Sequence, residues 1–229
     1  VTEQNFTLRR VQPKSDNRHA VFFAHLHEAL SYHYERNPSD PRVSHSLTLK
    51  VDDYGNVLRS ISIAYPRADV PERQLEQNET HLSLTLNRFV NRDDQPDWRR
   101  IGLPVETRTY EVVKPPTASL RFASKELHDL TEVLVPAGQI APSAVKTVPY
   151  DQCDWKKLWD PQAEPGGLAN TRLRIIEHVR TLYRKNDLTG PLDLEQVESM
   201  ALPFETYKLA FTSELAKQTF VDSGKASQA

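Results

Sequence analysis

The stretch SLTLKVDDYGNVLRSISIAYP constrains the fold more than any other part of this chain. Leu47, Leu49 and Val51 alternate with polar residues, and Ile61, Ile63 and Tyr65 do so again after a short polar interval. Successive side chains of a strand point to opposite faces, so a period of two on both sides of a turn reads as a β-hairpin with one buried face. Asp52 to Asn56 make the turn. Gly55 and Asn56 can take the left-handed conformations that tight turns require, and Asp52, Gly55 and Asn56 are the residues expected to shape it. Pro66 and Pro71 close the hairpin, since proline cannot donate to a ladder.

Other segments repeat the pattern. From Ala24 to Glu35, one side carries Ala24, Leu26, Leu30, Tyr32 and Tyr34, with Glu28 its one charged residue; the other carries His25, His27, Ser31, His33 and Glu35. Asn37, Pro38, Asp40 and Pro41 end that strand. THLSLTLNRFV places Leu82, Leu84 and Leu86 on one face, LPVETRTYEVV alternates through Val105, Thr107, Thr109 and Glu111, and Asn91 to Pro104 is the expected loop between them. After Pro115-Pro116 the spacing becomes helical at Leu127, Leu130 and Leu134, with Ser124 the candidate N-cap and Pro136 the stop.

Ala137 to Ala169 reads as irregular. TRLRIIEHVRTLYRKND fits a helical face through Leu173, Ile176, Val179 and Tyr183. It also fits a strand with Leu173, Ile175, Val179 and Tyr183 opposite Arg172, Arg174, His178, Arg180 and Arg184, and the strand is preferred. ETYKLAFT reads as a further strand, SELAKQTF as a short helix, and Asp222 to Ala229 as a loose tail. The expected fold is mainly β, with antiparallel hairpins forming part of a curved sheet and one to three short helices. Three regions are expected: 1–70, a β-hairpin region; 71–169, strands, one short helix and a Pro-rich loop; and 170–229, strand-rich with a short helix and tail.

Charge and composition narrow the function classes. The 29 basic and 31 acidic residues give a net charge of −2 without a block of like charge, so nucleic acid is not an expected partner. Hydrophobic residues make up 38%, which suits partly exposed sheet better than a thick core. The single Cys153 excludes an internal disulfide and a multi-cysteine zinc site, and Asp151 and Asp154 beside it disfavour its thiolate. No apolar run approaches the roughly 18 residues of a membrane span. Val1 stands first in place of Met, as expected of a piece of a longer chain.

Chemistry-bearing residues are present without the patterns that chemistry needs. His25 and His27 are spaced to share a metal on a strand, but at ~3.3 Å per residue His33 lies about 20 Å further along, so a polar strand face is the preferred reading. Asp151 with Asp154, and Glu195 with Glu198, read as solvated charge, since catalysis needs carboxyls in a shared cleft with separated pKa values. Ser31, Ser44 and Ser46 stand near histidines but in no Gly-x-Ser-x-Gly elbow. No Gly-x-Gly-x-x-Gly or P-loop pattern occurs, and neither catalytic nor cofactor nor metal residues are assigned. Trp155, Leu158 and Trp159 have the spacing of a buried helical turn; in an alternative reading, Trp155 and Trp159 anchor a surface module that binds a partner subunit, peptide or glycan.

Asp52-Asp53-Tyr54-Gly55-Asn56-Val57 resembles the turn of a YD (Rhs-type) repeat. The longer block HYERNPSDPRVSHSLTLKVDDYGNVLRSISIAYPR resembles the middle-to-C-terminal region of the B component of bacterial Tc insecticidal toxin complexes. IIEHVRTLYRKNDLTGPLDLEQVESMALPFETYKLAFTSEL resembles a stretch further along the same component, with a divergent middle between the two. The resemblance implies a secreted, non-enzymatic structural segment of the shell that the B and C components close around a cytotoxic effector. It also implies, through the parent chain, partnership with the C component and with the A component that forms the translocation channel. The aspartyl protease and effector of that family belong to its C component, and no motif of either is visible here.

Overall fold

The computed structural model describes residues 1–67, 75–113, 115, 121–143, 146–150 and 170–222. Among these, β1 (Thr2–Gln12), β2 (Val21–His33), β3 (Arg42–Val51), β4 (Val57–Ala64), β5 (His81–Arg92) and β6 (Arg100–Val113) follow one another as an antiparallel meander. Helix α1 (Ser124–Leu134) comes next, then the two-residue β7 (Thr147–Val148), β8 (Arg172–Tyr183) and β9 (Pro203–Lys208). A short helix α2 (Ser213–Ala216) runs into a π-helical turn at Lys217–Val221. β8 pairs β6 on one side; on the other it takes β7, in parallel, and β9. The result is a mainly β fold with short helices, its single sheet drawing strands from all three regions of the chain.

Two faces of the sheet differ in kind. Leu47, Ile61, Ile63, Leu82, Leu84, Leu86, Tyr110, Val112 and Leu173 lie on one face and pack with Leu127, Leu130 and Leu134 of α1. The period of two in the strands thus meets the helical spacing of α1, and burial of these side chains supplies about 1.5–3 kcal/mol each. Opposite residues in register share a face, so the other face carries rows of small polar groups. One row runs Ser46, Ser62, Ser83, Glu111, Arg174; the next runs Thr48, Ser60, Thr85, Thr109, Glu177. Ser44, Ser46, Ser62 and Ala64 are exposed on it.

Several expectations meet the structure as read and others need correction. The hairpin, the strands after Thr80 and Pro104, the helix and the strand at 172–183 form where the periodicity puts them, but in β8 a register shift that leaves Ile176 as an extra residue parts Arg174, on the polar face, from His178 and Arg180, on the helix-covered face, so the expected single basic face does not form. The loop between β5 and β6 is shorter than expected, because both strands extend past the side-chain alternation and only residues 93–99 connect them. Ser124 is not the N-cap. Ala123 occupies that position, and its N–H is satisfied instead by Glu126 Oε2 at 2.8 Å, while Ser124 Oγ meets His27 Nε2 at 3.0 Å.

In β2 the pairing with β1 shifts between Asn5 and Phe6, leaving His27 as an extra residue. A bulge of one residue flips every side chain beyond it. Phe23, His25 and His27 are therefore half-buried while Phe22, Ala24 and Leu26 are exposed, the reverse of the alternation expected for that half of the strand. β1 carries no alternation strong enough to announce a strand and was not expected; it forms by pairing with β2 at one edge of the sheet.

Candidate functional site

The turn at Asp52–Asn56 is built around one carboxylate. Asp52 Oδ1 accepts from the N–H groups of Tyr54 at 2.9 Å and Asn56 at 2.8 Å, and Oδ2 accepts from Nδ2 of Asn56 and of Asn91, each at 2.8 Å. Burial pushes the Asp52 carboxyl up, but these hydrogen bonds outweigh it and hold the group below the ordinary aspartate value. Gly55 has φ +89°, the left-handed region that glycine occupies without strain. Asn91 Oδ1 in turn accepts from the Gly102 N–H at 2.8 Å, with Gly102 at φ +72°. The turn is thereby tied to β5 and to the start of β6, a link across 39 residues between Asp52 and Asn91 that no local pattern announces.

A second polar group lies inside the helix-covered face. His45 is buried, its Nε2 2.7 Å from Glu28 Oε1 and its Nδ1 2.9 Å from the Tyr65 hydroxyl, which also accepts the Phe122 N–H at 3.1 Å. Burial lowers the imidazole pKa and the Glu28 carboxylate opposes it, with burial the stronger. This chain of bonds joins β2, β3 and the approach to α1. His45 has the same strand phase as Leu47, which is the one sequence signal that it faces inward.

The third group is the most highly charged. Glu106 is buried on β6, and its Oε1 accepts from Arg108 Nε at 3.1 Å, Arg180 Nε at 3.0 Å and His178 Nε2 at 2.6 Å. Arg88 lies 3.9 Å from Glu106 Oε2 and is ion-paired with Glu195. Desolvation raises the Glu106 carboxyl, but the donors from Arg108, His178 and Arg180 prevail and bring its pKa down to about 2. His178 is pushed down by burial. Alternation along β8 puts Arg180 and His178 on one strand face, and only the pairing of β6 with β8 brings Glu106 against them.

The remaining candidates are dispersed. His25 Nδ1 is 3.0 Å from the Leu26 carbonyl, His27 meets Ser124, and His33 is exposed. Among the described residues, no group of three or more His, Cys, Asp or Glu side chains is placed to hold a metal ion. Ser44 and Ser46 lie on the face opposite the buried His45, so strand alternation separates them from it; Ser31 Oγ is 3.2 Å from Thr2 Oγ1. Glu195 reaches Arg88 while Glu198 accepts the Asn186 N–H at 2.6 Å, so these two carboxylates face different partners. Asp151, Cys153, Asp154, Trp155, Leu158 and Trp159 lie outside the described residues. No helix among the described residues is long and apolar enough to cross a membrane.

Residues 1–103 match the family described as the insecticide toxin TcdB middle/C-terminal region. Among solved structures, the chain is similar to the crystal structure of TcdB2-TccC3, with 22% identity over 99% of this chain and a TM-score of 0.61. It is similar to the same pair without its hypervariable C-terminal region, with 21% identity over 97% of this chain and a TM-score of 0.61. A Photorhabdus luminescens Tc holotoxin pore gives 21% identity over 97% of this chain and a TM-score of 0.58. The chain spans 9% to 10% of the length of those chains. None of the curated proteins matches it. The second block of resemblance, from Ile175 onward, lies beyond the family match and is reached by the likeness of fold. Residues 1–103 thus match the middle/C-terminal region of the TcdB insecticide toxins, in keeping with the resemblance to a Tc toxin B component, and the chain as a whole has the fold of one stretch of those toxin structures.

Proposed function

We propose that this chain is a wall segment of a Tc toxin B component: a non-catalytic piece of the sheet shell that the B and C components close around a cytotoxic effector. The observation that carries this reading is the two-faced sheet. One face is packed under α1 and supplies stability, while the other presents serine and threonine rows. An antiparallel sheet is stable with one face wet, and a wall around a water-filled space needs that arrangement. The hydroxyl face lines the lumen and the α1 face turns outward. Effector cargo, contact with the C component, the link to the A component and release from the cell would come through the parent protein, as the resemblance to a Tc toxin B component implies.

The open edges of the sheet give the test. Among the described residues β1 pairs only with β2 at one edge, and at the other the short β7 and β9 share the side of β8. Within a larger shell such edges are paired, whereas an excised segment leaves them to associate. Analytical ultracentrifugation of the 229-residue chain is expected to show concentration-dependent association, abolished by lysine or proline placed in β1; a chain that stays monomeric to high concentration would contradict the wall reading.

A further inference from the structure

Beyond the C-terminal end of α1 the helix-covered face changes from apolar to charged. In register across β5, β6 and β8, Arg88 pairs with Glu106 and Glu106 with Arg180, while Leu86 pairs with Arg108 and Arg108 with His178. Arg88, Glu106, Arg108 and Arg180 line an open cavity of about 430 Å³, together with Ile140 and Leu194. Arg88, Arg108 and Arg180 bring three positive charges, against which stand the Glu106 and Glu195 carboxylates. Among the described residues the three guanidiniums of the cluster thus outnumber its two carboxylates by one, and burial pushes the neighbouring His178 imidazole towards its neutral form.

The donors are also in excess. A guanidinium has five N–H groups, and Arg180 spends its Nε on Glu106 while keeping a side chain that is 45% exposed. Arg88, 35% exposed, spends Nη1 on Glu195. Glu195 reaches it from a backbone at φ +70°, an unfavourable conformation for a residue with a side chain. The Glu195 carboxylate, 42% exposed, is the group that an incoming carboxylate would displace from Arg88.

We propose that this cavity is a binding site for a carboxylate side chain of an acidic peptide segment, seated between Arg88 and Arg180 in competition with Glu195. A monoanion balances the single surplus charge, which a dianionic phosphate would overshoot. Planar guanidinium forks match a carboxylate. The cavity is much larger than a bare carboxylate needs, and Ile140 and Leu194 give the rest of a peptide an apolar surface to lie on. The site stands whether or not the chain is a wall.

Calorimetric titration of the 229-residue chain at low salt and pH 7 tests this with hexaglutamate, hexaglutamine and inorganic phosphate as probes. Saturable binding of hexaglutamate alone is expected. R180Q should weaken it about tenfold or more, as loss of a charge-assisted pair does. E195Q should tighten it severalfold, because it releases Arg88; a variant that had merely lost its fold could not do that, and circular dichroism checks both variants. Equal affinity in wild type and R180Q, weakening by E195Q, no hexaglutamate binding, or preference for phosphate would each overturn the proposal.

Discussion

Gly55 lies against Phe23: a methyl group in place of the glycine hydrogen would sit 2.6 Å from Phe23 Cζ. Phe23 belongs to the half of β2 that the His27 bulge turns inward, so the bulge and the glycine belong to one arrangement. Both the positive φ and the close approach oppose a side chain at this position. Gly55→Ala is expected to destabilise the chain by about 1–3 kcal/mol, and Gly55→Val by more. In a Phe23→Leu background part of the Gly55→Ala cost should disappear, giving a coupling on the order of 1 kcal/mol in a denaturant double-mutant cycle.

Ala123 offers a stabilising change. Its φ of −79° and ψ of 150° are those of an N-cap, yet it has no side-chain acceptor for the first turn of α1. Ala123→Ser or Ala123→Asp should raise stability by about 1 kcal/mol, and Ser124→Ala should leave the cap unaffected while removing the contact with His27. Thermal melting of the three variants checks the order.

Glu106 makes acid stability a local question. Its carboxyl is pulled from an ordinary glutamate value to about 2 in the folded chain, so its stabilisation is fully present above about pH 4.5 and is lost as pH falls towards 2. The size is on the order of 3 kcal/mol. Glu106→Gln should lower stability at pH 7 and flatten the loss between pH 4.5 and 2, seen in urea unfolding across that range. The buried His45 acts nearer neutrality. Its folded pKa lies below 6.5, so the unfolded chain takes the proton first; stability is present above pH 6.5 and declines as pH falls through the folded value. His45→Gln should remove that part of the slope.

The two faces should answer differently to substitution. Leu84→Ala or Leu130→Ala opens a cavity in the core beneath α1 and is expected to cost about 2–5 kcal/mol. Ser62→Ala, on the exposed opposite face, should stay within about 0.5 kcal/mol. Similar costs on both faces, measured by urea unfolding, would contradict the packing described.

What was legible in the residues was whatever depends on neighbours in sequence. Leu47, Leu49, Ile61 and Ile63 declare a hairpin because alternation is local, and Leu127, Leu130 and Leu134 declare a helix for the same reason. The bulge at His27 was not legible, since it arises from pairing with β1, whose own residues alternate weakly. Ser124 has the chemistry of a cap, but the chain enters the helix one residue earlier and the hydroxyl finds His27. The Asp52–Asn91 link and the convergence of Arg88, Arg108, His178 and Arg180 on Glu106 join distant segments, and only the register of the sheet brings them together.

On the proposed wall reading, the hydroxyl face looks into an enclosed space. Single cysteines at Ser62 and Ser83, and a reference cysteine at the exposed Lys125 of α1, can be placed in the parent B component and assembled with its C component. Reaction with a maleimide carried on a polymer too large to enter the shell is then timed. Protection of the Ser62 and Ser83 cysteines in the closed assembly, with rapid labelling at Lys125, is the predicted result; labelling of all three at the same rate would contradict it.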